Sequence, residues 1–224
     1  MAALAGVEER GLAAREETAA FLLALRSRGV RDTAILRAME LAPREMFAPR
    51  GFADLARADV SLPLPCGQTM TSPVQLAVML GELAVTRAHR VLEVGSGSGY
   101  LTAVLAHLAG EVVSLERLRT LGIAAASRIA RLGLDNARVE IADGLAGDAG
   151  RWGRFDRIIL NGALEHAPPA LVAALNDGGR MVGAILTPPG PRLVCVERRG
   201  DAFPERLGGP LRLPPLQPGL AQAL

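Results

Sequence analysis

The sequence contains no lysine, so arginine supplies all 25 of its basic side chains against 23 acidic ones. A formal net charge of +2 gives no electrostatic case for nucleic acid, and no run of five or more basic residues occurs. Aromatic residues are also scarce, at five Phe, one Trp and one Tyr, which leaves little surface on which bases could stack. Nucleic acid is therefore not an expected partner, and Ala, Leu, Val and Gly have to build the core. The two cysteines, Cys66 and Cys195, form no CxxC pair and sit in no Cys–His cluster. Neither a disulfide framework nor a zinc site is therefore suggested, and free thiols suit a reducing compartment. No stretch of 18 uncharged apolar residues occurs, and Glu8, Glu9 and Arg10 interrupt the N-terminus too early for a signal peptide. A soluble, monomeric, cytoplasmic protein with no membrane partner and no metal is the expectation.

What is present is half apolar and long enough for one domain of ordinary size. Residues 1–50 read as an N-terminal helical segment and 51–224 as the main unit, the two forming one structural domain. Apolar residues recur at helical spacing from Glu9 to Glu45, with Gly29 and Asp32 dividing the segment into two helices. From Ala48 to Pro73 the periodicity stops, and prolines and glycines mark a long irregular segment of the kind that lines a site. Strands and helices then alternate: a helix over Val74–Leu83, strands at Arg90–Val94 and Val112–Leu115, helices over Tyr100–Leu108 and Leu118–Leu132, strands at Val139–Ile141 and Asp156–Leu160. A short helix over Pro169–Leu175 meets a turn signal at Asn176–Gly179, before strands at Met181–Leu186 and Leu193–Val196. This alternation predicts an α/β fold with a mostly parallel, doubly wound sheet. The Pro- and Gly-rich tail from Phe203 has no assigned course.

The first strand runs into Val91–Gly99, VLEVGSGSG, and a helix follows directly. Glycines between a strand and a helix let the backbone turn sharply and approach a ligand closely. Dinucleotide enzymes space their glycines as GxGxxG, whereas Gly95, Gly97 and Gly99 fall at every second position around Ser96. The shorter spacing resembles the loop of Rossmann-like methyltransferases that holds the methionine part of S-adenosylmethionine, and Glu93 matches the acid preceding it. Glu116 ends the second strand, where a carboxylate can accept from ribose hydroxyls. Asp143 follows the third, where it could accept from the adenine amino group. Each acid alone could be a surface carboxylate; all three in order point to a cofactor site.

Asp59-Val-Ser-Leu-Pro-Leu-Pro-Cys-Gly-Gln-Thr-Met-Thr-Ser-Pro73 resembles the signature of the protein-L-isoaspartate O-methyltransferase family, D-x-x-L-P-I-G-x-G-Q-T-I-S-x-P. Ala38–Pro49, Val91–Ala106 and Phe155–Ile159 resemble further blocks of the same family, and the similarity runs from about Leu25 to Leu216. The resemblance implies a Rossmann-like methyltransferase fold and methyl transfer from S-adenosylmethionine to the carboxylate of L-isoaspartyl residues in damaged peptides and proteins. It assigns the catalytic position to Thr71, where the family has serine; a helix N-cap is the alternative reading of that residue. It also places Thr69, Met70, Arg117, Gly144 and Asn161 beside Glu93, Gly95, Ser96, Gly97, Gly99, Glu116 and Asp143 among the cofactor contacts.

Departures concentrate on the acceptor side. Pro65 replaces a family glycine, Leu160-Asn161-Gly162-Ala163 stands where the family has V-T-A-A, and Pro191-Arg192 stands for its N-Q. Leu211–Leu216 only loosely echoes the family's terminal V-P-L strand. An altered acceptor, or cofactor binding without repair, is the alternative these departures leave open. Of the histidines, His89 and His107 read as surface or helix-face residues, and His166 lies where an acceptor could enter.

Overall fold

A computed structural model describes residues 2–221, with side chains described from residue 15 onward. Two helices open the chain, α1 (Ala2–Ser27) and α2 (Thr33–Leu41). Asp32 separates them because its carboxylate accepts the first free N–H groups of α2, from Ala34 and Ile35. A 3-10 turn at Arg44–Met46 ends the stretch read as helical, and the segment expected to be irregular carries further 3-10 turns at Arg50–Leu55 and Pro65–Gly67. It closes with a small antiparallel hairpin of β1 (Leu62–Pro63) and β2 (Thr69–Met70). Helix α3 (Pro73–Leu83) leads into the main sheet.

That sheet is built by β3 (Arg90–Val94), α4 (Tyr100–Leu108), β4 (Glu111–Glu116), α5 (Arg119–Arg131), β5 (Ala137–Ile141), β6 (Phe155–Leu164), α6 (Pro169–Ala173), β7 (Leu175–Ile185), β8 (Arg192–Glu197) and β9 (Glu205–Pro210). Its strand order is β5-β4-β3-β6-β7-β8-β9, parallel as far as β7 and antiparallel at β8 and β9. The order reverses between β3 and β6, so a crevice opens outside the carboxyl ends of those two strands. Alternate residues serve the two faces. Val91, Val112, Ile159 and Val182 join the core under α2, α3 and α4, whereas Leu92, Val113, Ile158 and Met181 join a second core with Leu171 and Val172 of α6. Burial on both faces explains why these strands read as continuous apolar runs rather than as an alternating pattern. Phe21 and Leu25 of α1 and Ile35, Leu36 and Met39 of α2 belong to the first core, so the N-terminal helices share the core of the sheet domain.

Three expectations need correction. The turn signal at Asn176–Gly179 lies inside β7, because Gly178 donates to the Arg198 carbonyl and Gly179 accepts from the Arg198 N–H. The preceding helix accordingly ends at Ala173. Strand β6 continues to Leu164 instead of stopping at Leu160, through a bulge between Ile159 and Ala163.

The tail, without a course in the sequence reading, forms edge strand β9 and then returns across the sheet. Beyond Val94 the chain leaves β3 to form the glycine loop, so β6 outruns its neighbour. The tail takes that place: Ala163 donates to the Pro214 carbonyl and accepts from the Leu216 N–H, both at 2.8 Å. Backbone groups that would otherwise be buried without partners are thereby satisfied.

Candidate active site

The glycine loop, the ends of β4 and β5, Asn161 and the returning tail enclose a cavity of about 200 Å³. Gly95, Gly97 and Gly99 hold φ values of +92°, +54° and +86°, a region closed to most side chains, which is why all three are glycine. Gly99 also packs its α-carbon against Ala125, where an added Cβ would lie 3.0 Å from that methyl group. Gly95 and Gly97 line the cavity; Gly99 lies behind them, heading α4.

Glu116 is buried and lines the cavity. Its two oxygens accept from the Gly97 N–H at 2.8 Å and the Leu118 N–H at 2.9 Å. A carboxylate has about four acceptor sites, so two such bonds fix the group and leave capacity toward the cavity. Asp143 is held likewise, accepting from Leu145 at 2.9 Å and from Gly219 of the tail at 2.7 Å. Gly144, beside it, has no room for a side chain, since a Cβ would meet Val94 at 2.6 Å. Arg117 also lines the cavity, and its Nε donates to the Gly219 carbonyl.

Besides Gly99, two residues named from the glycine loop do not reach the cavity wall. Glu93 is fully buried beneath the loop, where Thr102 and Ser114 donate hydroxyls to its Oε2 at 2.5 and 2.6 Å. Burial pushes its carboxyl up to about 7, against the lowering effect of the Ser114 and Thr102 hydroxyls. Its other oxygen is buried without a hydrogen bond. Ser96 turns toward the same cluster and hydrogen-bonds Ser114. Glu93 thus supports the loop from below.

The hairpin closes the opposite side. Gly67, Gln68 and Thr69 line the cavity, whereas Met70 is buried and packs into the first core. Thr71 does not cap α3; the N-cap position is Ser72. Instead the Thr71 hydroxyl donates to Asn161 Oδ1 at 2.9 Å, and Asn161 Nδ2 donates to the Gly95 carbonyl at 3.1 Å. This chain of contacts ties the Gln-Thr segment to the glycine loop by way of Asn161, 90 residues beyond Thr71 in the sequence. The bulge in β6 turns Asn161 toward the cavity.

Sequence reasoning missed two supports. Arg44 is buried and donates to the carbonyls of Ala56 at 2.6 Å, Val60 at 3.1 Å and Thr71 at 3.1 Å. Burial lowers its pKa, with the Tyr100 and Asp59 groups acting against that shift. It shapes the irregular segment by gathering carbonyls far apart in sequence. The tail is the second: Pro214, Pro215, Leu216 and Gln217 form a cavity wall. At Gly162 an added Cβ would lie 2.4 Å from Leu216 Cγ, so the glycine there, where the family pattern has alanine, makes room for the tail. His89 accepts from the Thr86 N–H with Nδ1, His107 lies half-buried in α4, and His166 is exposed and lines neither this cavity nor its neighbours.

The profile of the family described as protein-L-isoaspartate(D-aspartate) O-methyltransferase (PCMT) matches residues 16–203. A protein-L-isoaspartate O-methyltransferase of Azorhizobium caulinodans is 46% identical over 176 residues, covering 79% of this chain and 81% of that protein. One from Bradyrhizobium sp. (strain ORS 278) is 43% identical over 210 residues, 91% of this chain and 95% of the relative. In fold, the chain is similar to a Plasmodium falciparum protein described as a protein-L-isoaspartate O-methyltransferase in complex with S-adenosyl-L-homocysteine. The TM-score is 0.79 at 22% identity, over 88% of this chain and 97% of that one. Fold, glycine-loop geometry and sequence similarity over most of the chain agree: this protein belongs to the protein-L-isoaspartate(D-aspartate) O-methyltransferase family.

Proposed function

We infer that the chain transfers a methyl group from S-adenosylmethionine to the free carboxylate of L-isoaspartyl residues in peptides and proteins. The observation that carries this reading is the Thr71–Asn161–Gly95 chain of hydrogen bonds, which sets the Gln-Thr segment of the family signature against the glycine-loop cavity.

The residues present fit the cofactor. Acceptors stand at two separated points of the cavity, Glu116 and Asp143, suited to ribose hydroxyls and to an adenine amino group. Glycines at 95, 97 and 144 keep side chains out of the space between them, and the apolar Val94, Leu115 and Leu145 flank it. Bound there, S-adenosylmethionine supplies a methyl group on a positively charged sulfur. The acceptor carboxylate is already ionised at neutral pH, so this site needs no general base. What the chain must provide is in-line approach and removal of water from the attacking oxygen. Thr71 is buried and held in one orientation by Asn161, with its hydroxyl oxygen able to accept as well as donate. We assign it the role of orienting the groups that meet at the cavity mouth.

The assignments of Thr69, Met70 and Thr71, of Glu93 through Gly99, and of Glu116, Arg117, Asp143, Gly144 and Asn161 to cofactor binding or support are part of this proposal. We also propose that the chain acts as a cytoplasmic monomer without a nucleic-acid partner. The free thiols of Cys66 and Cys195 suit a reducing compartment. Among the described residues no helix is long and apolar enough to cross a membrane.

The test is transfer of labelled methyl from S-adenosylmethionine to an isoaspartyl peptide and to its normal aspartyl isomer. Labelling of the isoaspartyl peptide alone is expected. A folded protein that binds the cofactor and labels neither, or labels both equally, would overturn the reading.

A further inference from the structure

Beside Ser72 lies a second, more open groove of about 410 Å³, bounded by Asp59, Ser61, Ser72, Gln75 and Arg212 with Val74 and Pro210. It shares no lining residue with the cofactor cavity and reaches the signature segment at Ser72, next in the chain to Thr71. Its charges are unequally engaged. Asp59 accepts from the Val74 N–H at 3.0 Å with one oxygen and pairs with Arg28 at 2.7 Å through the other. Arg212 is exposed and, among the described residues, makes no hydrogen bond or ion pair. The guanidinium is therefore the uncompensated charge of the groove.

The polar groups between the two ends are also incompletely used. Gln75 donates to Ser72 Oγ at 3.1 Å, so the Ser72 hydroxyl proton is free to be given elsewhere. Gln75 Oε1 is buried without a hydrogen-bond partner, an acceptor that a peptide N–H could satisfy. A groove offering one donor, one acceptor and a terminal cation suits an extended peptide with an acidic side chain.

We propose that this groove is a subsite for the peptide flanking the isoaspartyl residue, and that Arg212 selects for a carboxylate side chain there. The proposal rests on the activity inferred above. Arg212 belongs to the returning tail, so the segment that walls the cofactor cavity also contributes to acceptor choice.

The experiment uses dye-labelled isoaspartyl peptides, acetylated and amidated so that only a side chain can supply the flanking carboxylate. Glu, Gln or Arg is placed in turn at each of the three positions on either side. Binding is read by fluorescence anisotropy with S-adenosylhomocysteine present, and methyl transfer is read separately. For the wild-type protein, Glu at one position is expected to tighten binding about two- to fivefold over Gln, the size an exposed ion pair supports, and high salt should shrink the difference. Arg212→Gln should bring that ratio to about one, and Arg212→Glu should reverse it in favour of the Arg peptide. Equal binding of Glu and Gln peptides at every position overturns the proposal, as does a Glu preference that survives in both variants. Methyl transfer without any charge preference overturns the subsite alone; a charge preference with no transfer overturns the activity and leaves the subsite standing.

Discussion

The cofactor side and the acceptor side of the site are assembled in different ways. On the cofactor side each group leaves the end of one parallel strand, Gly95 from β3, Glu116 from β4 and Asp143 just past β5. Their order in the chain is their order across the crevice, because parallel strands with right-handed crossovers present successive ends along one edge. On the acceptor side, Arg44, the hairpin around Gln68, Asn161 and the tail come from four separate parts of the chain. They meet through hydrogen bonds such as Thr71 to Asn161 and Ala163 to Pro214. The first arrangement is set locally within each βα unit; the second depends on fitted pairs from distant parts of the chain, such as Gly162 with Leu216.

The largest expected effect lies beneath the cofactor side. Glu93 has a folded-state value of about 7 against an ordinary 4.5. Between those values the folded protein holds more proton than the unfolded chain, so stability falls as pH rises through that window. The loss is on the order of 3 kcal/mol at pH 8 relative to pH 4.5. Glu93→Gln should flatten that slope in urea titrations run from pH 4.5 to 8; an unchanged slope would show that the buried carboxyl is not its source.

Next comes Glu116→Ala, which strands the Gly97 and Leu118 N–H groups and removes an acceptor from the cavity. We expect about 10- to 100-fold weaker S-adenosylhomocysteine binding by calorimetry. Affinity within twofold of wild type would place the ribose elsewhere. On the other side, Gly162→Ala should cost about 1–3 kcal/mol by forcing Leu216 out of its seat. Hydrogen exchange at the Leu216 amide should rise with it, and a protected amide would show that the tail is held by other contacts. The smallest effect is expected at Thr71→Ser, which keeps the hydroxyl and removes the methyl group that restricts it. A rise of about threefold in kcat is expected if the methyl crowds the site, and a fall would assign the methyl a positioning role.

Much of this was legible before folding. The spacing of Gly95, Gly97 and Gly99 follows from a backbone demand that only glycine meets, and Glu116 and Asp143 sit at strand ends that hydrophobic runs reveal. Where reading failed, the cause is nonlocal. Asn176–Gly179 carries every mark of a turn, yet pairing with Arg198 draws it into β7. The tail has no periodicity, because its order comes from β6 outrunning β3. Arg44 resembles any surface arginine until the carbonyls of Ala56, Val60 and Thr71 surround it.

By itself, then, the sequence determined the α/β order, the glycine loop and the acidic residues at the ends of β4 and β5, since each depends on residues within one βα unit. Tertiary structure alone decided that Glu93 supports the loop from below, that Thr71 bonds Asn161 instead of capping α3, and that the tail walls the cavity and brings Arg212 to a groove beside the signature. Those outcomes turn on which polar group finds which partner, and partners such as Thr71 and Asn161 lie 90 residues apart.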